Sequence, residues 1–199
     1  MLAPQTQILD VAERLFARDG YEATSMRDVA QGAGVNVATL YYHCGSKGEI
    51  FKQIYERVLV RIGAFVAETL TAGGAFEDMA ARIVDRVILL FVEHPEVPRL
   101  LERAHLGEVP SEGVRITAYQ ALLDTGAAEL LRQAKRGKIR RVEPRPFITA
   151  AAGVFLHLAI DATEKGPPDA ATVRELQKHA RMFILGALGI ENAQKRKRT

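Results

Sequence analysis

Residues 36–50 read NVATLYYHCGSKGEI, and the punctuation of this stretch sets the fold class. Asn36 is a good N-cap, Gly45 a helix breaker, and Ser46 with Glu49 three residues on forms a capping-box start for the next helix. A short helix over about 37–44 is the consequence. Its Val37, Leu40 and Cys44 share one apolar face. Tyr41 falls at the edge of that face, while Tyr42 points away from it, flanked by Ala38, Thr39 and His43. The chain has only five tyrosines and no tryptophan, so placing a phenol, a hydroxyl and an imidazole on one outward face needs a reason.

On either side, the same grammar repeats. TSMRDVAQGAG (Thr24–Gly34) opens on a Ser25/Asp28 capping box and carries Met26, Val29, Ala30 and Ala33 at helical spacing. Before it, Ile8, Val11, Ala12, Leu15 and Phe16 form one apolar stripe that stops at Gly20. After it, Ile50, Phe51, Ile54, Tyr55, Val58, Leu59 and Ile62 form another. TAGGAF (Thr71–Phe76) reads as a joint. Beyond it, helical patterns run over about 76–93, 96–106, 112–136, 144–162 and 169–189, punctuated by HPEVP, RGKIRRVEPRP and EKGPPD. No convincing strand or repeat occurs. The expectation is an all-α chain of about nine helices: an N-terminal three-helix unit over 1–62, a helical unit over 63–190, and a basic, flexible tail over 191–199.

Composition narrows the function classes. The chain has 199 residues, 48% hydrophobic and 26% charged, with a net charge of +3, ordinary for a globular protein. Cys44 is the single cysteine, which excludes an internal disulfide and suits a reducing cytoplasm. No apolar run reaches the length needed to span a bilayer; the longest, Arg86–Val92, reads as a buried helix. The first 60 residues hold six basic and seven acidic side chains, so an affinity for DNA there must come from placement rather than bulk charge. The five histidines lack close ligand spacing, and no phosphate loop, dinucleotide fingerprint or nucleophile elbow occurs. Neither a metal nor a cofactor is expected, nor is an enzyme.

Two short helices joined by a Gly-containing turn, about 25–44, make a helix-turn-helix pattern. The string GYEATSMRDVAQGAGVNVATLYYHCGSKGEIF resembles the DNA-binding domain of TetR-type transcriptional regulators, through TSMRDVA, AGV, TLYYH and SKGEIF in order and in register. The resemblance covers roughly residues 5–62. It implies that Ser25 and Arg27 open the first helix against DNA, that Asn36, Val37, Ala38 and Thr39 enter the major groove, and that Tyr41, Tyr42, His43 and Lys47 grip phosphates. The chain departs from the family in having Ala38 where glycine is frequent, Val37 where a polar residue is common, and Cys44 where phenylalanine is usual.

The same resemblance implies a ligand-released repressor that acts as a homodimer on a palindromic operator. Leu89, Phe91, Leu101, His105, Tyr119, Leu122, Phe155 and Leu158 are candidates to line a pocket for a small apolar or aromatic effector. The apolar last two helices, with Ala151, Gly153, Phe183, Gly186 and Gly189, are candidates for the subunit interface. Two rival readings remain: a redox-responsive regulator acting through Cys44, and a helical adaptor that binds protein through its tyrosine face.

Overall fold

The computed structural model describes residues 4–105 and 117–190, and within them every regular element is a helix. In chain order these are α1 (Pro4–Asp19), α2 (Met26–Gly32), α3 (Val37–Cys44), α4 (Lys47–Ala72), α5 (Phe76–Glu93), α6 (Glu96–His105), α7 (Thr117–Lys135), α8 (Pro144–Thr163) and α9 (Ala170–Ala187). The fold is all-α, with an N-terminal helix-turn-helix unit and a helical body. The segment expected to begin α7 at 112 and the tail over 191–199 lie outside the described residues.

The helix ends follow from the local sequence. Ser25 caps α2 and Ser46 caps α4, each in a reciprocal box with Asp28 or Glu49; Asn36 accepts from the Thr39 N–H to start α3. Gly34 at φ +63° closes α2, with the Gly34 and Val35 N–H groups donating to Gln31 and Ala30 carbonyls. Gly45, at φ +73°, is needed twice over. It takes a left-handed turn between α3 and α4, and a Cβ there would collide with the Glu49 carboxylate.

The first three helices and the start of α4 enclose a solid aromatic core. Phe16, Tyr21 and Phe51 pack with ring centroids 5.3–6.2 Å apart, and Ile8, Leu40, Ile50 and Ile54 are fully buried around them. One continuous helix, α4, leaves this core and enters the body. It crosses the boundary drawn at residue 62, so the two units share an element rather than a linker. An Arg57 guanidinium on α4 pairs with both Asp10 (2.6 Å) and Glu13 of α1, which fixes the exit direction of α4. Glu13 is buried, and burial raises its pKa.

In the body, α5 packs on α9, α7 lies against α4 and α8, and α6 lies between α1 and α8. Arg99 of α6 donates to the Thr163 carbonyl at the end of α8. The reading that no segment could span a bilayer needs correcting. Pro144–Thr163 is long and apolar enough by length and composition, because its residues form one helix and interruptions by Gly and Thr do not break an apolar average. Only 28% of that apolar window is buried within the subunit.

Candidate functional site: a nucleic-acid interface and an apolar cavity

The helix-turn-helix residues are built from the cap grammar. The capping box commits the Ser25 hydroxyl and Asp28 carboxylate to each other (2.6 Å) and to the start of α2. Hydrogen bonds from the Ser25 hydroxyl and N–H hold the Asp28 carboxyl below its ordinary pKa. Arg27, next to them, is exposed. Of the ten candidate DNA contacts, Ser25, Arg27, Asn36, Ala38, Tyr41 and Tyr42 are exposed, and Val37, Thr39, His43 and Lys47 are half-buried. None is buried, whereas Leu40 and Cys44 on the other side of α3 are.

The two tyrosines divide as the helix period requires. Tyr41 is 50% exposed and Tyr42 86% exposed. Tyr42 meets His43 edge-on, with ring centroids 5.0 Å apart. Val37 packs partly against the core, so it offers apolar contact only. Lys47 does not stand free. Its ammonium lies 4.4 Å from the Tyr21 ring centroid and donates to the Glu22 carbonyl at 3.2 Å. Tyr21 thus props a cation beside the recognition helix, a role that its sequence position in the α1–α2 turn did not reveal. The first N–H groups of α4, beside Lys47, add a partial positive charge.

Cys44 is 3% exposed, and burial raises its thiol pKa. A buried thiol with a raised pKa is a poor nucleophile, so this geometry gives no support to a redox reading.

The body encloses a cavity of about 220 Å³. Its wall takes Tyr55, Leu59, Ile62, Val66 and Leu70 from α4, Phe76, Val84 and Phe91 from α5, and Tyr119, Leu122 and Leu123 from α7. Phe147, Ile148, Ala151 and Phe155 of α8 and Ile184 and Leu188 near the end of α9 complete it. Among the candidate pocket residues, Phe91, Leu101, Tyr119, Leu122 and Phe155 line it. Leu89 does not: it is 40% exposed on the outer face of α5. Leu158 also misses the wall; it packs half-buried against the core, three residues past Phe155 and one step round the helix. The His105 side chain lies outside the described residues. The α4 contributors, and those of α5 other than Phe91, were missed because an apolar stripe reads the same whether it faces a filled core or a hollow.

Polar groups on the wall are few. Glu129 is buried, and its carboxylate accepts from Gln133 (2.6 Å) and Arg132 (2.9 Å). Burial alone would raise its pKa, but those hydrogen bonds and the nearby guanidinium groups hold it below the ordinary value. Burial, with Tyr119 beside it, pushes the Tyr55 phenol up to about 12. At the α7–α8 seam, Arg145 pairs with Asp124 and donates to Gln120 at 3.1 Å. Gly126 lets Ile148 approach so closely that a Cβ there would stand 2.9 Å from its terminal methyl.

The candidate interface residues separate into two groups. Gly153 and Gly186 are exposed with open space beside them, and Phe183 is 50% exposed next to Met182 at 64%. Ala151 instead faces the cavity, and Gly189 ends α9 at φ +73°.

A recognition helix with an exposed polar face, seated on a capped turn and carried by a helix that enters a hollow body, is a geometry suited to contacting DNA. Residues 8–54 match the family model described as bacterial regulatory proteins, tetR family. The head is a TetR-family DNA-binding domain. The chain is 39% identical over 61 residues to the transcriptional regulator AcrR of Shigella flexneri, a match covering 31% of this chain and 28% of that protein. It is 27% identical over 168 residues to the transcriptional repressor AcnR of Corynebacterium efficiens, covering 80% and 84%. Among solved structures, the TetR-family regulator PfmR of Thermus thermophilus superposes with a TM-score of 0.71 at 25% identity, over 93% of this chain and 99% of that one. FadR of Bacillus subtilis, solved with stearoyl-CoA, shares the fold at a TM-score of 0.71 and 14% identity, over 92% and 98%. With that head the chain is a DNA-binding transcriptional regulator of the TetR type, and the proteins it matches are regulators rather than enzymes.

Proposed function

We propose that the chain is a ligand-released repressor, acting in the cytoplasm as a homodimer on a palindromic operator. The observation that carries this reading is the double duty of α4. Its first turn supports the recognition helix through Gly45–Ser46, and its later turns supply five residues of the cavity wall. A ligand that prefers one tilt of α4 changes the spacing of the two reading heads and so lowers operator affinity. The Arg57 bridge to Asp10 and Glu13 makes α1 follow α4.

In this reading Ser25, Arg27, Asn36, Val37, Ala38 and Thr39 face the groove, and Tyr41, Tyr42, His43 and Lys47 contact phosphate. Two observations support a dimer through α8 and α9: the low burial of apolar α8, and exposed Met182 and Phe183 beside open glycines. The effector is a small molecule with a mainly apolar body, since among the described residues the wall offers only Tyr55, Tyr119, Thr149 and an already paired Glu129 as polar partners. The relative FadR, solved with stearoyl-CoA, fits an apolar tail of that kind.

The deciding experiment is a gel shift with the DNA upstream of the chain's own gene. Binding weakens steeply with salt, weakens in Tyr42→Phe and Lys47→Ala, and is reversed by an apolar compound from a screen. Binding that ignores both substitutions would favour a protein-binding adaptor. Light scattering tests the assembly, and a clean monomer at micromolar concentration would sink the dimer.

A further inference from the structure

A dense run of positive charge lies outside the DNA-reading head. Lys135–Arg141, KRGKIRR, holds five cations and no acid. Without those seven residues the net charge would turn from +3 to −2. The segment is built rather than loose. Gly137, at φ +66°, ends α7, with the Gly137 and Lys138 N–H groups donating to Ala134 and Gln133 carbonyls at 3.0 Å. Ile139 is buried, and the Arg140 N–H donates to the Leu188 carbonyl at 2.8 Å, pinning the segment to the end of α9. Lys135, Arg136, Lys138, Arg140 and Arg141 are all exposed. Flanking Arg132 and Arg145 are paired with carboxylates, whereas these five form no ion pair among the described residues.

Its position separates it from the operator. Tyr119 at the start of α7 lies beside Tyr55 in the head-side half of α4, and the basic segment follows the other end of α7. The end of α8 meets Arg99 of α6, the helix packed on α1, so the start of α8, which follows the basic segment, points away from the head. The 20 residues of α8 span ~30 Å, with the head-packed α6 at its end and the basic segment at its start. Charges that far apart are screened from one another, since the Debye length is about 8–10 Å. The segment therefore cannot strengthen the head's grip on its own duplex.

We propose that Lys135–Arg141 is a second, sequence-independent binding surface for duplex DNA. A subunit with its head on one duplex can then hold another at its far end. Three of the five cations are arginines, whose forked donors match phosphate oxygens. No apolar side chain stands exposed among them to insert into a bilayer, because Ile139 is buried and Val142 half-buried. That favours a phosphate-rich duplex over a membrane.

The test is fluorescence anisotropy on a short duplex of scrambled sequence between ~50 and ~200 mM salt. The variant Arg136→Gln/Lys138→Gln/Arg140→Gln/Arg141→Gln should bind about tenfold or more weaker, with a log–log salt slope smaller by about three to four. A Tyr42→Ala/Lys47→Ala head variant should keep most of the scrambled-duplex binding, and the charge-keeping Arg136→Lys/Arg140→Lys/Arg141→Lys variant should retain the slope. Unchanged binding in the glutamine variant, or loss in the head variant alone, overturns the proposal. Tighter capture by phosphatidylserine vesicles than by duplex, abolished by the same four glutamines, overturns the choice of DNA.

Discussion

The two ends of α4 carry one pattern into two different surroundings. At its start, Ile50, Phe51 and Ile54 repeat at helical spacing and meet a solid core of Phe16, Tyr21 and Leu40. Further along, Leu59, Ile62, Val66 and Leu70 repeat in the same way and face a cavity of about 220 Å³. The difference lies in what the other helices bring. Three aromatic rings from α1, the turn after it and α4 fill the head, while α5, α7 and α8 stand too far apart to fill the body. The solid end holds a rigid reading head, and the hollow end leaves the same helix room to shift.

Cutting into both ends puts the contrast to its strongest test. Phe51→Ala removes a ring packed on Phe16, Tyr21 and Tyr55 and should cost about 3–5 kcal/mol of stability. Leu122→Ala, on the half-buried cavity wall, should cost about 1–1.5 kcal/mol, less than a fully buried leucine. Urea unfolding compares them directly, and equal losses would mean that the cavity is packed as tightly as the head.

A smaller effect is expected at the head's surface. Tyr42→Ala should leave stability within about 0.5 kcal/mol and weaken operator binding about tenfold, the loss of one phosphate hydrogen bond. Gel shifts and unfolding on the same preparation separate the two. A Tyr42 variant that unfolds easily would place the phenol in the fold rather than the interface.

At the hollow end, Ala152 of α8 also lines the cavity, so Ala152→Phe should shift stability by no more than about 1–1.5 kcal/mol, because the ring enters existing space. Uptake of an apolar fluorescent dye should fall, with DNA binding retained. Strong destabilisation would show a wall with no room behind Ala152.

The smallest effects come from pH, and they differ in sign at the two ends. Asp28 and Glu49 are held below their ordinary values of 3.8 and 4.5 by hydrogen bonds from Ser25 and Ser46. Their contribution is full above those values and is lost as pH falls through the depressed ones. Tyr55 is raised from 10.0 to about 12, so its contribution is full below 10.0 and is lost as pH rises toward about 12. Urea midpoints should show the acid loss shrinking in Glu49→Ala and the alkaline loss shrinking in Tyr55→Phe.

Much of the head was legible because its signals are local. A serine paired with an acid three residues on, or a glycine at a forced positive φ, acts within one turn of chain, and the split between Tyr41 and Tyr42 follows from helical period alone. Lys47 was legible as a charge but not as a cation lodged over Tyr21, because that contact joins the turn after α1 to the start of α4. In the body, five of the eight pocket candidates line the cavity, while Leu89 faces outward. Val87 to Phe91 are all apolar, and only long-range packing decides which of them is left outside.

The helices, their caps and breaks, the all-α class and the outward face of α3 follow from the order of residues alone, since each depends on neighbours a few positions apart. Long-range packing was needed to make α4 common to head and body and to turn its later stripe toward a hollow. Packing also placed a run of cations between α7 and α8 at the far end from the reading head. Those outcomes depend on distances between segments tens of residues apart. Apolar periodicity states that a face is hidden from water, but what hides it is settled by the volume the other helices leave behind.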